Sequence, residues 1–137
     1  MNDGEDKTSG LGHNDSEVLK SPTLFDCGAF INLSTEIDRL QADASFKEES
    51  GHKTKLLLKY PEFRLVLIFM RASSRWDDHQ TKARIFIHVL RGRIQFHTSN
   101  GTFDLQPGQL LALDPGIKHS VDASEESAFL LTLSDPK

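Results

Sequence analysis

The side chains of this 137-residue chain that can do chemistry are few: six histidines, one cysteine, and hydroxyls without evident helpers. Ser73 and Ser74 lack any histidine–aspartate spacing that would make either a nucleophile, and Cys27 stands in no nucleophile motif. No phosphate-binding loop or dinucleotide fingerprint occurs. What remains is imidazole chemistry: metal ligation, proton transfer or polar anchoring of a ligand. His79 follows Trp76-Asp77-Asp78 and leads into the apolar run Ala83–Leu90, which closes on Gly92. His119 lies just past a glycine turn at Gly108, the apolar run Leu110–Leu113, and the turn Asp114-Pro115-Gly116. If a strand ran through this region, its period of two would put positions 79, 81 and 85 on one face. Thr81 and Ile85 would then line the same wall as His79, with Ile87 and Val89 continuing it. Trp76 reads equally well as a lid or wall of a pocket and as a plain core aromatic. If the register of a hairpin holds through Gly92, His88 and His97 lie on the opposite face from Ile85 and are expected as satisfied surface or interface histidines. His13 and His52 receive no role. Arg91 and Arg93 flank a tight turn and read as a solvated hairpin end.

These residues need elements to hold them. Leu56–Tyr60, Arg64–Met70, Ile85–Leu90, Ile94–Phe96, Leu110–Leu113 and Phe129–Leu133 are short β-prone runs. Turn signals separate the later ones, including Asn100-Gly101, where both residues tolerate positive φ. Turns recurring about every eight residues predict an antiparallel sandwich or barrel. Leu65–Met70 and Ile85–Leu90 are apolar on both faces, whereas a sheet with one wet face would alternate. The second face is therefore expected to be covered by another layer or by a partner chain, and a homodimer is expected. Ahead of the strands, Leu33, Ile37 and Leu40 form one apolar stripe of a short helix ending near Ala44. Ser34 or Thr35 is its expected N-cap, and Thr35-Glu-Ile-Asp38 is a loose capping box. Leu24–Leu33 holds a short apolar patch that reads as an edge strand.

The glycine, proline and histidine framework resembles the two motifs of the cupin superfamily, and in particular small single-domain bacterial cupins. Laid on this chain, the first motif puts histidine at His79 and the closing glycine at Gly92, with Thr81 and Ile85 at its second histidine and glutamate positions. The second puts Gly108, Gly116 and His119 in place, with Pro115 one position late. Fifteen residues separate Gly92 from Gly108. The resemblance covers about residues 52–134. It implies an all-β, double-stranded β-helix (jelly-roll barrel) with a short N-terminal helix, in which His79 and His119 come from neighbouring strands and meet inside. It also implies a candidate divalent transition metal (Fe, Mn, Ni or Zn) on those two histidines. Two imidazoles leave most of the coordination sphere to water, so such a metal would be weakly held. A third ligand would have to come from elsewhere, such as Asp77 or Asp114. The expected ligand pocket is Trp76, His79, Thr81, Ile85, Ile87 and His119. An apolar wall with two imidazoles favours a small organic ligand with an apolar body and one anionic or carbonyl end. A metal-dependent dioxygenase- or isomerase-type enzyme and a non-catalytic scaffold are the alternatives, and whether the chain is an enzyme stays open.

Bulk properties bound the rest. One domain is expected at this length, with residues 1–23 as a disordered acidic tail and 24–137 as the folded domain. Residues 1–20 hold five acids against two lysines and few apolar groups. The net charge of −4 is mild and points to neither nucleic acid nor an anionic membrane. A single cysteine forbids an internal disulfide and fits a cytoplasmic home. The longest apolar run is far too short to span a bilayer.

Overall fold

A computed structural model describes residues 21–43 and 51–135. Residues 1–20 of the expected tail lie outside the described residues, whereas Ser21–Thr23 are described, Thr23 opening a strand, and the helix ends at Ala42, two residues before the expected Ala44. The chain divides into two compact units, Met1–Glu36 and Ile37–Lys137.

In the first unit, β1 (Thr23–Phe25) and β2 (Gly28–Phe30) form an antiparallel hairpin, so the expected edge strand is two short strands. The helix α1 (Leu33–Ala42) begins here. Its N-cap is Asn32, whose Oδ1 accepts from Thr35 N at 3.2 Å, rather than Ser34 or Thr35. Asparagine is as good a cap as serine, and Asn32 sits two residues before Ser34 and three before Thr35, which places both hydroxyl residues inside the helix. No reciprocal capping box forms between Thr35 and Asp38. Glu36, fully buried, accepts a 2.5 Å hydrogen bond from Ser21 Oγ, and Ser21 Oγ in turn accepts from Asn32 N at 2.8 Å.

The second unit is a two-layered antiparallel β-sandwich. Its strands are β3 (His52–Lys59), β4 (Phe63–Met70), β5 (Arg75–His79), β6 (Arg84–Arg91), β7 (Ile94–Thr98), β8 (Gly101–Leu105), β9 (Leu110–Leu113), β10 (His119–Ala123) and β11 (Ser127–Ser134). One sheet has the order β5-β10-β7-β8, the other β3-β4-β11-β6-β9. The strand pairs are antiparallel throughout, and apart from the hairpins β3–β4 and β7–β8 successive strands cross between layers in the manner of a jelly roll. The inner faces meet in a core of Ile68, Met70, Ile85, Ile87, Val89, Ile94, Phe96, Leu105, Val121, Ala123 and Phe129. The alternation B-i-B-i-B along Ile85–Val89 is the period-two pattern of a strand with one inward face.

The two-sided apolarity of β4 has an intramolecular cover. Val66, Ile68 and Met70 point into the core, while Leu67 and Phe69 point out and are nonetheless buried. Lys53, paired with Phe69, donates from Nζ to the Leu40 carbonyl at 2.9 Å, and Asp38 of α1 accepts from Arg91 at 3.1 Å. The helix from Ile37 onward therefore lies on this outer face and buries Ile37 and Leu40 there.

Gly92 explains one tight corner. It has φ +81°, and a Cβ placed there would collide with the Glu126 carbonyl oxygen and Ser127 Oγ and lie 2.7 Å from Ser127 Cα. Glycine is the residue that fits where β6 turns into β7 beneath the start of β11.

Candidate functional site

Three strands build the site, of which β7 reads as a β-prone run in the sequence and the polar β5 and β10 carry no strong β pattern. β10 is central, paired with β5 on one side and β7 on the other. His119 opens β10 directly opposite His79 at the end of β5, and opposite Thr98 at the end of β7. The β5–β10 pairing contains a bulge: His119 pairs with His79 but Val121 pairs with Trp76, so β5 carries one extra residue across Asp77-Asp78. A regular strand would send Trp76 and His79 to opposite faces. The bulge returns both to the inner face, and their rings lie 4.8 Å apart.

The result is a run of five rings. His52 stacks on Trp76 at 4.7 Å, Trp76 meets His79, His79 meets His119 edge-on at 4.3 Å, and His119 stacks on Phe96 at 5.1 Å. His52, given no role by sequence, is thus part of the wall. No local motif marks it, and its place follows from the pairing of His52 with Met70 across β3 and β4.

The tautomers of the two central rings are set by their partners. His79 Nδ1 is 2.6 Å from the Asp77 carbonyl and His119 Nδ1 is 2.9 Å from the Ile117 carbonyl. A carbonyl oxygen only accepts, so each Nδ1 carries the proton and each neutral ring keeps a bare Nε2. Burial lowers the pKa of His119, and nearby His79 lowers it further. The Ile117 carbonyl and Asp78 act the other way without reversing the shift. His119, 4% exposed, is therefore held neutral at physiological pH.

The other expected pocket residues are placed differently. Thr81 lies between β5 and β6, not within a strand. Its Oγ1 accepts from Ala83 N at 3.1 Å and its carbonyl accepts from Gly116 N at 2.8 Å. The single strand face proposed for 79, 81 and 85 does not exist, because residues 80–83 turn the chain from one sheet to the other. Ile85 and Ile87 do point inward, but as fully packed core rather than as the open wall of a pocket. Asp77 and Asp114 are engaged by Arg75 and Arg84 and are largely exposed. Among the described residues no group of three histidine, cysteine or carboxylate side chains is arranged to hold a metal. The donor set is two imidazoles, one short of a catalytic site and two short of a closed one, and does not fit a tightly resident transition metal.

The outer face of the same sheet is a polar network. Arg75 Nη1 spans both Asp122 oxygens at 3.1 Å, and His97 Nε2 is 2.7 Å from Asp122 with its Nδ1 2.8 Å from Thr102 Oγ1. Asp104, hydrogen-bonded by Arg93 and Gln95, is held down to about 2. His88 and His97 face outward, each alternating with the buried residues of its own strand, although β6 and β7 lie in different sheets and no hairpin register links them.

Comparison with known proteins places this architecture. The chain resembles the SPY1581 protein of unknown function from Streptococcus pyogenes, with a TM-score of 0.64 and 15% identity over 88% of this chain and 98% of that one. It resembles KdgF from Halomonas sp., with a TM-score of 0.61 and 18% identity over 67% and 87%. An RmlC-like cupin from Shewanella frigidimarina gives a TM-score of 0.61 and 16% identity over 66% and 82%. At these identities the likeness is one of fold, and it makes the sandwich a cupin jelly roll. No curated protein matches the chain at a significant level. Among the described residues no helix is long and apolar enough to cross a membrane. The profile of the AraC-like ligand binding domain matches residues 65–134, just over half the sequence and all the strands from β5 to β11, and the chain belongs to that cupin-type family.

Proposed function

We propose that the domain binds a small organic ligand at the end of the barrel where His79 and His119 meet, with Trp76 as a wall of the site. The observation that carries this reading is the pair of bare Nε2 atoms, both rings being oriented by backbone carbonyls through Nδ1. A neutral Nε2 accepts and does not donate. The ligand therefore presents hydroxyl or N–H donors, rather than the anionic or carbonyl end that an apolar wall alone would favour. A cytoplasmic setting suits a chain whose single cysteine, Cys27, is free and exposed.

Trp76 is the sole tryptophan and touches both His52 and His79, so its fluorescence reads the site directly. Titration with a library of small hydroxylated and amine-bearing compounds is expected to yield a saturable change that His79→Ala and His119→Ala abolish. A response unchanged in both variants would overturn the reading.

The alternative, a metal-dependent small-molecule enzyme, draws on the same fact, since a bare Nε2 with Nδ1 bonded to a carbonyl is also the ligating form of histidine. Elemental analysis separates the two. Ligand binding through two imidazoles predicts substoichiometric divalent metal that a chelator removes without unfolding. One ion per chain surviving dialysis against EDTA would favour the enzyme.

A further inference from the structure

The outer face of the four-stranded sheet holds a concavity that the proposed inner site does not use. It is a cleft of 430 Å³ lined by Arg75, Asp78, His97, Lys118 and Ser120, with His119 at the boundary. We propose that this cleft is a binding site for a small zwitterion of the amino-acid class.

Three observations support it. The first is Ser120, whose side chain lines the cleft although the residue is only 2% exposed. Its Oγ accepts a hydrogen bond from Arg75 Nη2 at 3.0 Å. Its own proton has no acceptor among the described residues, so a buried donor is left for an occupant. A buried donor without a partner is costly in a fold that otherwise satisfies its polar groups. The second is the rigidity of that wall. Arg75 is fixed by Asp122 through Nη1 and by Asp77 through Nε at 3.2 Å. His97 is fixed between Asp122 and Thr102, so neither side chain must be ordered when a ligand enters.

The third is the charge pattern. Arg75 is already answered by Asp122 and Asp77. The charges left over on the cleft are the Lys118 ammonium and the Asp78 carboxylate, which form no ion pair with each other or with any other described residue. A bare anion would find Lys118 but would be repelled by Asp78, and a bare cation would meet the reverse. A molecule carrying a carboxylate and an ammonium answers both, and its carboxylate can also accept the Ser120 proton. Nothing covalent is required.

The test is NMR titration of the full-length chain with glycine and L-alanine against acetate, methylammonium and inorganic phosphate. The readout is the amide signals of residues 118–120 and the His97 ring. The zwitterions are expected to saturate these shifts at millimolar concentration or below, and acetate and methylammonium alone are expected to bind about tenfold more weakly or worse. Lys118→Met, Asp78→Asn and Ser120→Ala should each weaken zwitterion binding several-fold; the first two change exposed side chains and leave the core untouched. His79→Ala should leave this binding unchanged while abolishing the Trp76 response. Phosphate or acetate binding as tightly as glycine would make the cleft a plain basic surface and overturn the proposal. So would no shift with either amino acid at about 10 mM. If the zwitterion instead moves Trp76 fluorescence and His79→Ala removes the effect, it occupies the inner site, and this proposal fails while the functional reading stands.

Discussion

An imidazole whose Nδ1–H is engaged by a backbone carbonyl keeps one nitrogen for function, and the environment decides whether that nitrogen carries a proton. For His119, burial decides against it. The folded chain thus resists a proton that the unfolded chain accepts below its ordinary pKa of 6.5. The unfolded state binds more protons there, so stability falls as pH drops through 6.5 and is unaffected by this group above it. The melting temperature is expected to be lower at pH 5.5 than at 7.5, and His119→Gln should reduce that difference. A variant with the same pH profile as wild type would show that other groups set it. Ile85 makes a second residue-scale prediction. It is 2% exposed in the core, so Ile85→Glu would bury a carboxylate among isoleucines and should cost on the order of 3 kcal/mol in denaturant unfolding. A neutral outcome would mean that position 85 faces out.

At the scale of elements, the corners are as specific as the strands. Gly92 and Gly116 share φ +81°, but a Cβ at Gly92 strikes backbone atoms while one at Gly116 meets nothing within 4 Å. Gly116→Ala should therefore cost only the left-handed strain, about 1 kcal/mol, and Gly92→Ala that strain plus a collision, more than about 2 kcal/mol. Thermal melts of the two variants check the ranking, and equal losses would contradict it. The same elements show what the sequence makes legible. β4, β6, β7, β9 and β11 are apolar runs between turn signals, and burial drives both their composition and their pairing. β5 and β10 read Arg-Trp-Asp-Asp-His and His-Ser-Val-Asp-Ala, half of whose side chains serve an outer polar network, so hydrophobic period does not mark them. The bulge at Asp77-Asp78 is set by pairing with a strand some forty residues away, which no local window contains. The histidines at 79 and 119 could be named from motif positions. Phe96, which stacks on His119, and His52, which reaches the pair through Trp76, come from strands that the sequence alone does not bring to them.

For the whole molecule, the helix that covers Leu67 and Phe69 removes one reason to expect a partner chain, yet apolar groups remain at both edges of the five-stranded sheet. Leu110 on β9 is 62% exposed and Leu56 on β3 is 53% exposed. Edge strands with uncovered leucines invite pairing. A homodimer is expected by light scattering at tens of micromolar, a range in which an interface of ordinary size is populated. Leu110→Lys should shift it toward monomer, and a monomeric wild type would remove the expectation. The ring run has a consequence of another kind. His52 belongs to the five-stranded sheet, and Trp76, His79 and His119 belong to the four-stranded one, so the stack spans the gap between the layers. The indole's stack on His52 exists only while the two sheets are docked, whereas its contact with His79 lies within one strand. Near-ultraviolet circular dichroism of this chain consequently monitors closure of the sandwich, and far-ultraviolet dichroism monitors its strands. Any separation of the two melting curves would expose a state in which the sheets have formed but not yet closed on one another.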